Sequence, residues 1–206
     1  MLFCSSKAIG QRQAGFRLEN ITSEYIKVEK GLSQNTVNKV FQDSQGFLWI
    51  GTWNGLNRFD GYSFVTFEKN YRNSDIGLSS SEIIDIIEDK SGNIWAASAV
   101  GLNKISKYDF SIKRFTSESH SAEGMICDTL NCLLYDSQGM IWIGTSKGVL
   151  ILDPETEIFT NIQSNPRDFG SLSSNNVTAL LEDNGGNLWI GTKNGLNKYI
   201  RKSGEI

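Results

Sequence analysis

The 206 residues carry 20 basic and 23 acidic side chains, a formal net charge of −3, with both signs spread along the chain. No basic stripe is present to track a phosphate backbone, which argues against a nucleic-acid partner, and nothing approaches the roughly 18 consecutive apolar residues of a membrane span. Twenty glycines against two prolines, with 11% aromatic residues, suit many short strands joined by tight turns.

Residues 1–15 begin apolar, at Met1-Leu-Phe-Cys4, and turn small and polar at Ser5 and Ser6. They read as a tail or the remnant of a clipped export signal, although no basic start precedes the apolar run. Residues 16–31 form a lead-in. Within it Phe16-Arg-Leu-Glu-Asn-Ile21 resembles Ile158-Phe-Thr-Asn-Ile162 further on, so it is expected to be an outer strand completing the last unit of the chain.

From residue 32 the text repeats. Trp49, Trp95, Trp142 and Trp189 stand 46, 47 and 47 residues apart, each preceded by Asp-x-x-Gly and followed six residues later by a glycine. The copies are 32–77, 78–124, 125–171 and a shorter 172–206. In each, Asp-x-x-Gly between apolar runs is turn chemistry, the carboxylate capping backbone amides and the glycine supplying positive φ. Phe47-Leu-Trp-Ile-Gly-Thr52 reads as a central strand buried on both faces, its glycine permitting close approach of a neighbour. A tight hairpin at Trp53-Asn54-Gly55 leads into a third strand, Leu56–Phe59, with counterparts ending at Ile105, Leu152 and Tyr199. After Asp60-Gly61 an outer strand is expected over Tyr62–Phe67.

The run before the first turn is ambiguous. Val37, Val40 and Phe41, like Ile83, Ile86 and Ile87, fall at i, i+3 and i+4, which is helical spacing. Yet each run spans about eight residues and ends at a turn, so a strand is expected. Four antiparallel strands repeated every 47 residues or so make an all-β β-propeller, each four-stranded blade needing sister blades to cover its apolar faces and the tryptophan serving as mortar between them. Four blades either close a ring or form part of a larger one, for instance of seven.

Gly31-Leu-Ser-Gln-Asn-Thr-Val37, Asp43-Ser-Gln-Gly-Phe-Leu-Trp-Ile-Gly-Thr52 and Gly55-Leu-Asn-Arg-Phe-Asp-Gly61 resemble the two-component regulator propeller repeat. The resemblance runs from about residue 16 to residue 200. It implies seven-bladed rings serving as the periplasmic sensor of hybrid histidine kinases, many of which detect oligosaccharides. It also implies, as partners in a longer parent protein, further blades and a kinase module that this chain lacks. The third copy departs from the pattern, with Lys147-Gly-Val-Leu-Ile151 where the others have Gly-Leu-Asn and a basic residue.

Catalytic groups are sparse. The sole histidine, His120, lies in the Ser-rich stretch Ser117–Ser121 and reads as a loop residue with no partner to orient it as a base. Cys4, Cys127 and Cys132 are too few for a zinc site; Cys127 and Cys132 read as small thiols, a bridge between them being the alternative. No phosphate loop occurs, and neither a cofactor nor a metal is expected. Binding is a better prospect, since positions that vary between copies are free to serve a ligand. Trp53 occupies a hairpin tip where the other copies have Ala99, Ser146 and Lys193, and its ring suits stacking on a sugar. The loops leading into each first strand carry Asn35 and Thr36, Ser81 and Glu82, Asp128 and Thr129, and Asn175 and Asn176, expected on the same rim. Such amides, hydroxyls and carboxylates suit sugar hydroxyls. The expected function is a non-catalytic, ligand-binding sensor. The alternatives are an enzyme like the propeller lyases that open cyclic antibiotics, or a platform for protein partners.

Overall fold

Each Asp-x-x-Gly turn and each hairpin glycine reverses the chain once, and the result is an antiparallel meander repeated four times. The computed structural model describes residues 25–72, 76–118, 124–126, 129–168 and 170–206. Blade 1 contains β1 (Val37–Gln42), β2 (Leu48–Thr52), β3 (Gly55–Phe59) and β4 (Phe64–Phe67). Blade 2 contains β5 (Ile83–Glu88), β6 (Ile94–Ser98), β7 (Gly101–Ile105) and β8 (Ile112–Phe115). Blade 3 contains β9 (Leu130–Tyr135), β10 (Ile141–Thr145), β11 (Gly148–Leu152) and β12 (Phe159–Ile162), and blade 4 stops at three strands, β13 (Val177–Glu182), β14 (Leu188–Thr192) and β15 (Gly195–Tyr199). One helical turn, Val28–Lys30, is the helical structure among the described residues. The outer strand of blade 1 starts at Phe64 rather than Tyr62. The Asp60 carboxylate accepts the Tyr62 and Ser63 amides at 2.8 and 2.7 Å and holds those residues in the turn.

The ambiguous first runs are strands, and their helical spacing has a cause. The register of β1 on β2 slips between Val37 and Lys39, a bulge that recurs in β5, β9 and β13. One extra residue restores the facing of the strand. Val37 and Val40 therefore share a face although they stand three positions apart, and Phe41 points to the other.

The two faces of a blade differ. One carries the tryptophan: in blade 1, Trp49, Gly51, Leu56 and Phe67. It packs on the opposite face of the next blade, where Ile83, Ile86, Ile94, Ala96 and Ile105 complete one buried cluster. The arrangement repeats between blades 2 and 3 and between blades 3 and 4. Glycine in β2 is required by this packing. A Cβ on Gly51 would stand 2.7 Å from the Ile83 side chain, and one on Gly144 would stand 2.8 Å from Val177. The expected mortar role of the tryptophan is what these seams show.

Inner strands pack in sequence, β1 on β5, β5 on β9 and β9 on β13. The tryptophan face of blade 4 is open, with Leu181 and Leu196 exposed. The described residues thus form an open arc rather than a closed ring of four. The outer strand expected from residues 16–21 lies outside the described residues.

Polar stitches recur at matching positions of the two outer seams, while the middle seam has its own, Lys104 and Lys113 pairing with Glu157. Between blades 1 and 2, Asn38 donates to the Ile83 carbonyl at 3.0 Å, and the amide and hydroxyl of Ser44 both donate to Glu88 at 2.7 Å. Between blades 3 and 4, Asn131 donates to the Val177 carbonyl and Ser137 to Glu182 in the same manner. Arg201 adds a clasp there, bonding Asp136 and Glu182 at 3.0 Å each.

Candidate functional site

Consecutive turns of a meander lie at opposite ends of its strands, so each blade has two rims. On the first rim lie the β2–β3 hairpins and the loops leading into each inner strand. The hairpin amide bonds the carbonyl that precedes the blade's own first strand: Trp53 to Thr36 at 3.3 Å, Ala99 to Glu82 at 3.3 Å, Ser146 to Thr129 at 3.3 Å and Lys193 to Asn176 at 2.9 Å. The hairpin glycine reaches across to the next blade, Gly55 to the Ser81 carbonyl and Gly148 to the Asn175 carbonyl, both at 2.7 Å. Among the described residues these bonds set Thr36, Trp53, Glu82, Asn176 and Lys193 on the first rim.

Their side chains divide into two kinds. Asn35 and Asn175 cap backbone, accepting the amides of Val28 at 3.1 Å and Ser164 at 2.7 Å. Thr36, Glu82 and Lys193 are exposed and Asn176 is half-buried. Trp53 is 58% exposed, its indole N–H donating to the Asn38 side chain at 3.1 Å, so the ring is fixed at one edge. Beside it, the Tyr71 hydroxyl meets that of Ser81 at 2.9 Å, a second aromatic on this rim that sequence reasoning missed. Tyr71 also lines a cleft of about 420 Å³ with Lys69 and Arg72. Asp128, His120 and Cys127 lie outside the described residues.

The opposite rim carries the Asp-x-x-Gly turns and two clefts of about 470 Å³, one lined by Ser137, Asn187 and Arg201, the other by Lys90, Lys104, Tyr135 and Glu155. Here the aspartates do more than cap. One oxygen of Asp43 accepts the Gln45 and Phe47 amides at 3.0 and 2.9 Å, and the other accepts the Trp49 indole N–H at 2.8 Å. The indole bond recurs at Asp89–Trp95, Asp136–Trp142 and Asp183–Trp189, at 2.8, 2.6 and 3.0 Å. The Asn187 amide and the Trp189 indole pull the Asp183 pKa down to about 2. These carboxylates fix the mortar residue and are committed to architecture.

A second repeated pair was also missed. Asn57 accepts the Ser33 amide at 3.0 Å and donates to the Ser33 hydroxyl at 2.7 Å. Asn197 does the same for Ser173, and Asn103 accepts the Ser79 amide at 2.8 Å. In blade 3 both partners are replaced together, by Ile126 and Leu150, which join the apolar cluster instead.

No group of three or more His, Cys, Asp or Glu side chains that could hold a metal occurs among the described residues. Cys132 is a free thiol. Burial, with the Asp85 charge adding to it, pushes its pKa up to about 12, far from a reactive thiolate. Asp85 itself pairs with Lys39 at 2.6 Å and accepts the Leu133 amide at 2.8 Å, tying three blades together at the inner strands.

Residues 31–54, 77–99, 124–147 and 171–194 each match the two component regulator propeller family. The chain carries four two-component regulator propeller repeats. One stretch of 44 residues is 48% identical to Histidine kinase P4 of Formosa agariphila, spanning 21% of this chain and 3% of that protein. The extracellular domain assigned to the hybrid two component system BT3049 of B. thetaiotaomicron superimposes with a TM-score of 0.64 at 25% identity, over 88% of this chain and 31% of that one. Virginiamycin B lyase from Staphylococcus aureus superimposes with a TM-score of 0.59 at 14% identity, over 81% of this chain and 53% of that one. At that identity the lyase shares the fold and nothing more is carried over. This propeller thus spans under a third of the extracellular domain it resembles, and far less of the kinase. No helix among its described residues is long and apolar enough to cross a membrane.

Proposed function

We propose that this propeller is the non-catalytic, ligand-reading part of a periplasmic sensor, and that its ligand is an oligosaccharide. Binding would bias the placement of further blades and of a kinase module carried by a longer polypeptide. The supporting observation is the first rim. It presents an aromatic ring, Trp53, held at one edge by Asn38, beside the exposed side chains of Thr36 and Glu82. A sugar offers an apolar ring face and a girdle of hydroxyls. A fixed indole flanked by directional polar groups is complementary to both. Across the arc, Asn176 and Lys193 supply equivalent polar groups on blade 4, whereas Asn35 and Asn175 act by holding the loops.

The test is calorimetric titration of the chain with plant, host and microbial oligosaccharides, alongside the Trp53→Ala variant. A ligand should be found whose affinity falls about tenfold or more on truncation of this ring, the loss of one stacking anchor. The melting temperature should hardly change, because the ring is exposed. Silence across a broad panel removes the sugar reading.

A further inference from the structure

The middle seam lacks a bond that its two neighbours share. In blades 1 and 3 a serine follows the turn aspartate, and its amide and hydroxyl both donate to the glutamate that ends the inner strand of the next blade. Ser44 meets Glu88 at 2.7 Å through both groups, and Ser137 meets Glu182 at 2.8 and 2.6 Å. Arg201 adds a further donor to Glu182 at 3.0 Å. Each outer seam thus seats one carboxylate on a backbone N–H and a side-chain donor.

At the middle seam both partners change. Lys90 follows the turn aspartate, and Tyr135 ends the inner strand of blade 3. The donor side gains a positive charge, and the acceptor side loses its carboxylate. Among the described residues the Lys90 amide, equivalent to those of Ser44 and Ser137, meets no acceptor, and the exposed Lys90 ammonium has no ion-pair partner. Lys90 and Tyr135 line the cleft of about 470 Å³ between blades 2 and 3. The corresponding cleft of the first seam, where Glu88 is seated, measures about 40 Å³. Asp153 and Glu155 also line the larger cleft. One oxygen of Asp153 accepts the amides of Glu155 and Thr156, which leaves its other oxygen and the exposed Glu155 carboxylate as acceptors.

We propose that this cleft is a second ligand site, and that it takes a small carboxylic acid bearing hydroxyl or ammonium groups. The ligand carboxylate takes the place that Glu88 and Glu182 hold at the outer seams, accepting the Lys90 amide and ammonium and the Tyr135 hydroxyl. Bonds in which both partners are charged are the strong ones, and here they fix the carboxylate end. The hydroxyl or ammonium protons of the ligand donate to Asp153 and Glu155. The site lies on the rim opposite Trp53 and stands apart from the oligosaccharide reading.

Calorimetric titration with glucuronate, galacturonate and glutamate, with methyl glucoside as the neutral control, tests the site and separates sugar acids from amino acids. At least one acid should bind, and the glucoside should not. Lys90→Met, at an exposed position, should weaken the acid about tenfold or more, whereas Trp53→Ala should leave it unchanged. The double variant Lys90→Ser, Tyr135→Glu rebuilds the stitch of the outer seams and seats the chain's own carboxylate in the cleft. It should bind no acid while melting at or above the wild-type temperature. Silence with all three acids overturns the proposal, as does equal binding of the glucoside. Unchanged affinity in Lys90→Met, continued binding by the double variant, or loss of binding in Trp53→Ala overturns it as well.

Discussion

The pentapeptide Leu-Trp-Ile-Gly-Thr occurs twice, at 48–52 in blade 1 and at 188–192 in blade 4. In both places it forms the second strand and makes the same indole bond to the aspartate six residues before the tryptophan. Its surroundings differ: Trp49 is buried under blade 2, whereas Trp189 is half-exposed and Leu196 beside it lies open. Local text therefore fixes strand, turn and indole bond, and the neighbouring blade alone decides burial. In a stacked array stability resides in the seams as much as in the units.

The sharpest way to break this comparison is to truncate equivalent leucines. Leu102→Ala, at a sealed seam, should cost about 3 kcal/mol in urea unfolding, as buried leucine truncations do. Leu196→Ala, at the open face, should stay within about 0.5 kcal/mol. Equal losses would mean that blade 4 is covered after all.

Arg201→Ala probes what holds the open blade in place. Removing two charge-assisted bonds to Asp136 and Glu182 should cost about 2 kcal/mol. Hydrogen exchange should rise in β13–β15 and not in blade 2. Uniform loosening would show the clasp to be global.

A slightly smaller effect tests the paired swap of blade 3. Asn103→Leu alone strands the Ser79 amide and should cost about 1–2 kcal/mol, and adding Ser79→Ile should return most of it. Additive losses in the double variant would show that blade 3 tolerates its apolar pair for another reason.

The smallest effect is the pH response of blade 4. The Asp183 pKa is lowered by its bonds to Asn187 and Trp189, so the stability those bonds give is present above the ordinary value of 3.8. It is lost as pH falls from there through about 2. Asp183→Asn should flatten the acid limb of the blade 4 transition, followed by exchange at β14. An unchanged limb would place the acid sensitivity elsewhere.

Much of this was legible in the residues. Tryptophan spacing, turn glycines and strand lengths announce the blades, and the shortness of the first runs outweighed their helical spacing. The bulge that produces that spacing was not legible, because it shows only in the pairing of two strands. The Asp–Trp bond had a signal, a constant separation of six, that turn chemistry seemed to exhaust. The Ser–Asn pair had one too: its members stand 24 residues apart in blades 1, 2 and 4, and Ile126 and Leu150 change together at the same separation. Arg201 and Tyr71 gave no signal, each belonging to one copy alone. For the rim, the sequence located the loops but could not separate Asn35 and Asn175, which are spent on backbone amides, from the exposed side chains beside them.

The unequal apolar content of the seams has a thermal consequence. Asn38 and Ser44 stitch blade 1 to blade 2, and Asn131 and Ser137 stitch blade 3 to blade 4; at the middle seam these positions hold Ile84 and Lys90, the polar contacts are the Leu133 amide on Asp85 and Lys104 and Lys113 on Glu157, and 12 buried apolar residues form the largest of the three clusters. Apolar attraction fades on chilling while directional polar bonds keep their strength. Refrigeration or hydrostatic compression should therefore loosen the central seam, with its larger apolar share, more than the outer two.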